Sequence, residues 1–314
     1  MIRKYKILIT GGAGYIGSML TTELVKMGHE VTVLDNLSYS ENSLSHLYIE
    51  KNFKFIKDSV LNFKVYKKLI QLNEIIIPLA ALVGAPLCEK FKKKAIELNL
   101  NSVKFLSKYI SKKQKIIFPT TNSGYGIGKK NKHCDENSEL NPISLYGKTK
   151  MEAEKVVMGF KNSISFRLAT VFGVSYRMRS DLLVNYFVQM SLKKKNIIIY
   201  EPHFRRNFIH IKDVVRAFIF AIKNFSKLKG QVYNLGMSTA NITKLQLLKK
   251  IKKQNKSLKI FYNTTTKDPD QRDYFVSNKK IEKKGFFPIY SIDDGIKELL
   301  IYFKNHKKKI INNY

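Results

Sequence analysis

The stretch that decides the fold runs from Lys4 to Gly17 and reads Lys-Tyr-Lys-Ile-Leu-Ile-Thr-Gly-Gly-Ala-Gly-Tyr-Ile-Gly. A short apolar run bounded by glycine predicts a buried strand, and helical periodicity follows it up to Met27. Gly11, Gly14 and Gly17 form a Gly-x-x-Gly-x-x-Gly turn between the two elements. Glycine at the first position permits a tight turn, and at the second it lets a phosphate approach the backbone closely. At the third position it lets the helix pack closely on the strand. The N–H groups that open the helix then face the phosphates.

An acidic residue follows at the distance that a dinucleotide-binding unit requires. The apolar run Val31–Leu34 ends in Asp35, about twenty residues beyond the glycine turn. A carboxylate at this place accepts hydrogen bonds from both ribose hydroxyls of NAD and repels the additional phosphate of NADP. The alternative is a strand that ends in a solvated aspartate. The coincidence of turn, spacing and acid favours NAD as the cofactor.

Length and cysteine content limit the class of protein. The 314 residues are enough for one large α/β unit and a smaller lobe. Cys88 and Cys134 are too few for a disulfide framework and indicate a reducing compartment. Cysteine and histidine show no metal-ligand spacing, so we expect no metal. The first apolar run is too short for a signal peptide and no run is long enough to span a bilayer, so we expect a cytoplasmic protein without a membrane partner.

The formal charge of +33 has two interpretations. Clustered basic residues mark nucleic-acid-binding surfaces. Here lysine is spread over the whole chain among Asn and Ile, as an A+T-rich genome encodes, and no motif that reads RNA or DNA accompanies it. This pattern favours a general lysine excess over nucleic-acid binding, although the charge also suits anionic substrates.

Alternating strands and helices predict the fold class. Six apolar runs are predicted as strands: Lys6–Thr10, Val31–Asp35, Phe53–Lys57, Ile75–Leu79, Lys115–Thr120 and Ser165–Leu168. Helical patterns lie between them, notably over Ala95–Ser111 and Leu145–Phe160. This order predicts an α/β protein with a Rossmann-type, doubly wound parallel sheet, whose ligands bind at the carboxyl ends of the strands.

Three of the predicted strand ends carry groups that fit a cofactor. Asp58 is placed to accept a hydrogen bond from the adenine amine, or is a solvated surface acid. The step Leu79-Ala80-Ala81 leaves room for a flat cofactor, or serves packing alone. The third end carries Thr120, Thr121 and Asn122.

The candidate chemistry lies in Tyr146-Gly147-Lys148-Thr149-Lys150. Tyr146 and Lys150 are four residues apart in a helical stretch, so both project from one face. A phenol with an ordinary pKa of about 10 is a poor base at neutral pH, but a neighbouring ammonium favours the phenolate. Thr121 is placed to bind the same substrate hydroxyl, while the carbon that carries it gives a hydride to nicotinamide. A Tyr-x-x-x-Lys pair elsewhere is usually a solvated helix face.

Together these motifs resemble the extended short-chain dehydrogenase/reductases that act on nucleotide sugars. The resemblance covers nearly the whole chain and rests on Gly11-Gly12-Ala13-Gly14-Tyr15-Ile16-Gly17, Asp35-Asn36-Leu37, Thr121 before Tyr125-Gly126, Tyr146 with Lys150, and Arg206-Asn207-Phe208-Ile209-His210. It implies a Rossmann domain of residues 1–172, to which 197–224 return. It also implies a smaller C-terminal α/β lobe of 173–196 and 225–314 that binds the sugar nucleotide. A homodimer formed by two helices, one of them Leu145–Phe160, is a further expectation.

The resemblance assigns roles residue by residue. Asn99 matches the asparagine that supports the active-site lysine through water. The implied catalytic residues are therefore Thr121, Tyr146, Lys150 and Asn99. The implied cofactor-binding residues are Gly11, Gly14, Tyr15, Ile16, Gly17, Asp35, Asn36, Asp58, Leu79, Ala80, Ala81, Tyr146 and Lys150. The implied substrate-binding residues are Val83, Asn122, Ser123, Thr170, Asn185, Arg206, Asp270 and Arg272, with Arg206 on the diphosphate.

Departures from the family pattern narrow the reaction. Sugar 4,6-dehydratases carry Asp-Glu after the active-site threonine, whereas Asn122 and Ser123 stand here and do not transfer protons at neutral pH. Many members have Asn-Pro where this chain has Thr170-Val171.

A subgroup is similar over longer stretches, among them Ile75–Cys88, Thr121–Gly128, Phe166–Gly173, His203–Asn207 and Asp268–Tyr274. It is the GDP-D-glycero-α-D-manno-heptose 4-dehydrogenases of bacterial capsule synthesis. This implies oxidation at C4 of GDP-heptose, and a 2-oxo acid as a second oxidant that restores NAD. The alternatives are a nucleotide-sugar 4-epimerase, and a non-catalytic nucleotide-sensing or nucleic-acid-binding Rossmann protein.

Overall fold

The opening strand lies inside a sheet of seven parallel strands. The computed structural model describes residues 3–39, 43–128, 133–263 and 273–306. The strands of the described residues are β1 (Lys6–Thr10), β2 (Glu30–Asp35), β3 (Phe53–Lys57), β4 (Ile75–Pro78), β5 (Lys115–Thr121), β6 (His133–Cys134), β7 (Ser163–Leu168), β8 (Thr170–Phe172), β9 (Asn196–Tyr200), β10 (Arg205–His210), β11 (Gln231–Leu235), β12 (Asn241–Thr243), β13 (Lys259–Asn263) and β14 (Phe275–Val276). The large sheet has the order β11-β7-β5-β4-β1-β2-β3. The order reverses between β1 and β4, which is where a doubly wound sheet opens a crevice for ligands.

Helices cover both faces of this sheet and build the second lobe. The α-helices are α1 (Tyr15–Lys26), α2 (Phe63–Leu72), α3 (Ala85–Lys90), α4 (Lys92–Ile96), α5 (Ser102–Tyr109), α6 (Leu145–Met158), α7 (Leu183–Lys193), α8 (Ile211–Lys223), α9 (Phe225–Leu228), α10 (Lys244–Gln254), α11 (Lys279–Glu282) and α12 (Ile292–Asn305). A π-helical turn, Glu97–Asn101, joins α4 to α5, and short 3₁₀ turns lie at Ser45–Leu47, Asn122–Tyr125 and Ser238–Ala240. Within the ranges described, no helix is long and apolar enough to cross a bilayer.

Alternation along the strands divides the core between the two faces of the sheet. In β1, Ile7 and Ile9 pack with the residues of α1 and α8, whereas Leu8 packs with those of α2, α5 and α6. All three side chains are fully buried. Burying an aliphatic side chain on this scale contributes about 1.5–3 kcal/mol. The strand that carries the glycine turn is therefore fixed from both sides.

The predicted elements agree closely with the observed ones. The bounds of β1 and β3 are those predicted, while β4 ends one residue earlier and β5 one residue later. The predicted strand Ser165–Leu168 begins at Ser163 in β7 because its whole length is buried between neighbouring strands. The predicted helix Ala95–Ser111 is a run of α4, a π turn and α5. The Rossmann-like α/β fold predicted from the sequence is confirmed.

The smaller lobe has its own core, formed mainly by α7, α10 and α12, with Val188, Leu247 and Leu299 fully buried. Its strands form short sheets, β12-β10-β8 and β13-β9. The predicted boundary placed everything after Phe225 in this lobe. The structure differs there: α9 packs in the main core, and β11 extends the large sheet beside β7. The strand β11, Gln-Val-Tyr-Asn-Leu, is fixed by this long-range parallel pairing, which its local sequence does not reveal.

Candidate active site

A cavity of about 1020 Å³ opens at the carboxyl ends of the large sheet. The residues after β1, β2, β3, β4, β5 and β7 contribute to its wall, and the beginning of α7 and part of β10 close it from the smaller lobe. This is the position that the doubly wound topology favours for a ligand. The space is large enough for two bound molecules lying end to end.

The glycine turn forms one end of the cavity. Gly11 has a φ of +71°, and its N–H donates to the Leu34 carbonyl at 2.9 Å. A Cβ at this position would lie 2.6 Å from the backbone nitrogen of Ala80, so only glycine fits. Helix α1 begins after Gly14, and no described side chain caps it. Its first N–H groups lack intrahelical partners and are suited to a phosphate group.

Asp35 fixes this turn and faces the same space. Its Oδ2 accepts the Ala13 N–H at 2.9 Å, and its Oδ1 accepts the Leu37 N–H at 2.8 Å. Burial raises the pKa of the carboxyl, although these two hydrogen bonds act in the opposite direction. Each carboxylate oxygen keeps a further lone pair, so the group can still accept ribose hydroxyls. The exposed Asn36 beside it also lines the cavity.

The next strand ends complete the cofactor side. Asp58 accepts hydrogen bonds from the Ser59 N–H at 2.7 Å and the Asn62 amide at 2.8 Å, so it also orders the start of α2. Leu79, Ala80, Ala81 and Val83 line the cavity after β4. The cofactor-side residues expected from the sequence, Tyr15, Ile16 and Gly17 included, are therefore brought together.

Thr121, Tyr146 and Lys150 lie on the wall of this same cavity. Thr121 ends β5, whereas Tyr146 and Lys150 are one turn apart in α6. The Lys150 side chain is almost completely buried, and its ammonium lies 4.2 Å from the ring centroid of Phe118. Burial lowers the pKa of Lys150 from 10.5 to about 7, and the Glu154 carboxylate offsets part of this effect. The Thr121 hydroxyl accepts the Ser123 N–H at 3.1 Å and donates to the Ser123 hydroxyl at 2.9 Å.

A buried polar network holds α6 against the sheet. Glu154, one turn beyond Lys150, forms an ion pair with Arg167 of β7 at 2.7 Å. Its other oxygen accepts the hydroxyls of Thr120 at 2.8 Å and Ser165 at 2.9 Å. These contacts join α6 to β5 and β7, and so fix Lys150 relative to Thr121. This network was not predicted from the sequence.

Asn99 lies behind the cavity wall, where its amide binds neighbouring segments of the chain. It lies in the π turn, and its amide accepts the Leu82 N–H at 2.8 Å and donates to the Leu82 carbonyl at 2.9 Å. The same amide donates to the Thr149 hydroxyl at 3.3 Å. It thereby ties the loop after β4 to α6. Its side chain is not part of the cavity wall.

Some of the residues expected to bind the substrate line the cavity, and others do not. Ser123, Thr170 and the buried Arg206 line the cavity, and the guanidinium of Arg206 lies 5.7 Å from the ring of Tyr274. Asn122 and Asn185 are buried and are not part of the wall. The Asn185 amide instead accepts the Gly173 N–H at 3.0 Å and donates to the Arg179 carbonyl at 2.8 Å. Asp270 and Arg272 lie outside the described residues.

Two arginines of the cavity wall were missed in the sequence analysis. Arg177 and Arg179 are both buried. Arg179 forms an ion pair with Asp181, and Arg177 stacks 4.6 Å from the ring of Tyr39. Arginine stands at only eight positions in this lysine-rich chain. An Arg-x-Arg pair in such a composition is the signal that could have identified them.

The model of the NAD dependent epimerase/dehydratase family matches residues 7–236. The chain belongs to this family. The family relation confirms NAD as the cofactor, and the glycine turn, the uncapped α1 and Asp35 fit it. Within the ranges described, no three His, Cys, Asp or Glu side chains are grouped to hold a metal ion.

Relatives in the family are similar over most of the chain. The uncharacterized UDP-glucose epimerase YtcB of Bacillus subtilis is 29% identical over 96% of this chain and 98% of its own. A dTDP-D-glucose 4,6-dehydratase of Dictyostelium discoideum is 30% identical over 78% of this chain and 61% of its own. Among solved structures, the UDP-glucose 4-epimerase of Thermotoga maritima with UDP-glucose has a TM-score of 0.84 and 25% identity, covering 96% of this chain and 100% of that one.

A second solved structure supports the same fold. The UDP-glucuronic acid 4-epimerase of Bacillus cereus, in complex with UDP-glucuronic acid and NAD, has a TM-score of 0.84 and 24% identity. It covers 96% of this chain and 99% of that one. The chain is therefore an enzyme of an NAD-dependent family whose relatives act on nucleotide sugars.

Proposed function

We propose that this enzyme uses NAD to oxidise the C4 hydroxyl of a nucleoside-diphosphate sugar. One observation carries the proposal: Tyr146 and the buried Lys150 share a cavity wall with Thr121, and the same cavity contains the glycine turn and Arg206. Cofactor, proton acceptor and diphosphate-binding groups thus face one space. NAD bound there supplies the hydride acceptor.

The chain's own residues divide the work. Tyr146, as the phenolate, accepts the proton of the sugar hydroxyl. The Lys150 ammonium favours that phenolate. Thr121 orients the sugar hydroxyl by donating to its oxygen, for which the Thr121 hydroxyl hydrogen turns from Ser123 to the substrate. Arg206 binds the diphosphate with its guanidinium fork. The apolar wall after β4 excludes water from the reacting carbon.

GDP-D-glycero-α-D-manno-heptose is the substrate that we propose, with the 4-keto sugar as product for capsule or surface polysaccharide synthesis. The support is the similarity of stretches such as Ile75–Cys88 and His203–Asn207 to the GDP-heptose 4-dehydrogenases. A net oxidation leaves NADH in the cleft, so we propose a 2-oxo acid as the second oxidant. The homodimer and the cytoplasmic location stay predictions.

A 4-epimerase is the second candidate, because several relatives are named as epimerases of nucleotide sugars. Such an enzyme uses the same residues and returns the hydride to the same carbon. A 4,6-dehydratase is disfavoured, because Asn122 and Ser123 occupy the positions of its acid and base.

The experiment is a single-turnover reaction of the purified holoenzyme with GDP-heptose, followed by absorbance of NADH and by NMR of the sugar. A dehydrogenase accumulates one NADH and one ketone per site, and 2-oxoglutarate then restores turnover. An epimerase yields the inverted alcohol without lasting NADH. No change in either signal, together with a salt-sensitive RNA shift, would support the non-catalytic alternative.

A further inference from the structure

Arg177 lies in a segment that crosses the first turns of α1. Its backbone N–H donates to the Ser18 hydroxyl at 3.3 Å. Two residues earlier, the Ser175 hydroxyl donates to the Tyr15 carbonyl at 2.7 Å. The chain after β8 is thereby fastened to the start of the helix that follows the glycine turn. Tyr15 and Ser18 therefore help to fix the position of this segment, together with Asn185 of α7.

The guanidinium of Arg177 is buried but has open donors. The residue is only 3% exposed, and its Nε and Nη2 have no hydrogen-bond partner among the described residues. Asp35 accepts two backbone N–H groups and Asp181 pairs with Arg179, and within the described residues neither carboxylate accepts a hydrogen bond from these two donors. Burial and the Arg179 charge lower the pKa of Arg177, and the carboxylates of Asp181 and Asp35 offset part of this effect. A buried cation with unmet donors is costly, and an anion in the cavity would relieve this cost.

We propose that Arg177 binds the pyrophosphate of NAD, as a second anion-binding group beside the N-terminus of α1, and retains the cofactor between turnovers. The proposal rests on the NAD dependence of the family and not on the identity of the sugar. The planar fork of arginine suits two phosphate oxygens at once. The Tyr39 ring packs against the guanidinium on the same cavity wall.

Two other anions compete as ligands of Arg177. In the proposed function, Arg206 binds the diphosphate of the sugar nucleotide. Arg206 lies on β10, on the other wall of the cavity. An adenosine 2′-phosphate would lie against Asp35, whose carboxylate repels it. The anchoring of Arg177 to Ser18 and its stacking on Tyr39 both place it on the cofactor side of the cavity.

The test compares Arg177→Met and Arg177→Lys with the wild type in the full-length chain. For the holoenzyme, the readouts are the NAD content after gel filtration and the rate of exchange with labelled NAD. For the stripped chain, calorimetry measures binding of NAD, ADP-ribose, adenosine and GDP. We expect Arg177→Met to weaken NAD and ADP-ribose by the same factor, about 10- to 100-fold, and to leave adenosine and GDP unchanged. The affinity of Arg177→Lys for NAD and ADP-ribose should lie between those of the wild type and Arg177→Met, since lysine keeps the charge and loses the guanidinium fork.

The control is Arg3→Met, which removes an exposed guanidinium and should leave all four affinities unchanged. An equal loss for adenosine would place the contact at the ribose or base and overturn the proposal. Loss of GDP binding with NAD retained would overturn it in favour of the sugar nucleotide. The melting temperature of the NAD-free chain distinguishes a structural role of Arg177 from a role in cofactor binding. We expect NAD-free Arg177→Met to melt at or above the temperature of the NAD-free wild type. A lower melting temperature with unchanged NAD affinity would refute ligand binding.

Discussion

Replacement of Lys150 by methionine should make the protein more stable and less active, with a gain that depends on pH. The lysine is almost fully buried, and its pKa falls from 10.5 to about 7 because burial disfavours the ammonium. Below about pH 7 both folded and unfolded chains carry the proton, so the folded state bears the whole cost of burying the charge. Between pH 7 and 10.5 the unfolded chain binds more protons, so wild-type stability rises with pH across this window.

The size of this effect follows from the pKa difference. At 1.36 kcal/mol per pKa unit, the difference between 10.5 and about 7 gives an upper bound of about 5 kcal/mol below pH 7. At about pH 9.5 only about 1 kcal/mol of this cost is left. Water entry and relaxation reduce both values, so we expect Lys150→Met to raise the free energy of unfolding by about 1–5 kcal/mol at about pH 6.

The assay is urea unfolding of the cofactor-free chain at about pH 6 and about pH 9.5. Lys148→Met is the matched control, because Lys148 lies exposed on the same helix and its replacement should change stability equally little at both pH values. Turnover of Lys150→Met should fall sharply, since Tyr146 loses its neighbouring ammonium. A variant that is destabilised by the same amount at both pH values would refute the assignment of a buried charge that Glu154 compensates only in part.

The other predictions concern the proton acceptor, the cofactor and the buried ion pair. Tyr146→Phe should abolish cofactor reduction while binding of the sugar nucleotide, measured by calorimetry, stays nearly intact; unchanged turnover would reject the assigned base. Asp35→Ala should weaken NAD more than the sugar nucleotide and loosen the glycine turn, whereas equal losses in both titrations would indicate general unfolding. Arg167→Met should lower the free energy of unfolding by about 3–5 kcal/mol, because it leaves Glu154 buried without its partner. A loss below about 1 kcal/mol in urea unfolding would show that water or Lys150 compensates the carboxylate.

The large sheet could be predicted because its information is local. Each strand of the first half is a short apolar run, and the bounds of β1 and β3 need only that run and its neighbours. The glycine turn and Asp35 likewise follow from spacing within a single βαβ unit. The strands β8 and β12 are different, since each has only three residues and is fixed by pairing with β10 far along the chain. Such strands carry little periodicity of their own.

The site residues divide along the same line. Those at strand ends and on one face of α6 were accessible from the sequence, because spacing alone brings them together. Asn185 shows what spacing leaves out: its amide lies at 0% exposure and holds the segment from Gly173 to Arg179 in place. Arg177 reaches the cavity because that segment binds Ser18, a contact between residues 159 positions apart. Only the folded chain reveals either role.

The positive charge of this protein has two separate physical origins. Lysines supply most of it and lie mainly at the surface, where salt screens them over about 8 Å and solvent weakens their contacts. Of the eight arginines, Arg167, Arg177, Arg179 and Arg206 are buried, and the last three line the cavity. Desolvated guanidinium groups bind phosphates with geometry and strength that surface ammonium groups do not supply. The net charge therefore raises the local concentration of any anion, whereas we expect recognition of the cofactor and the sugar nucleotide to depend on the few arginines of the cleft.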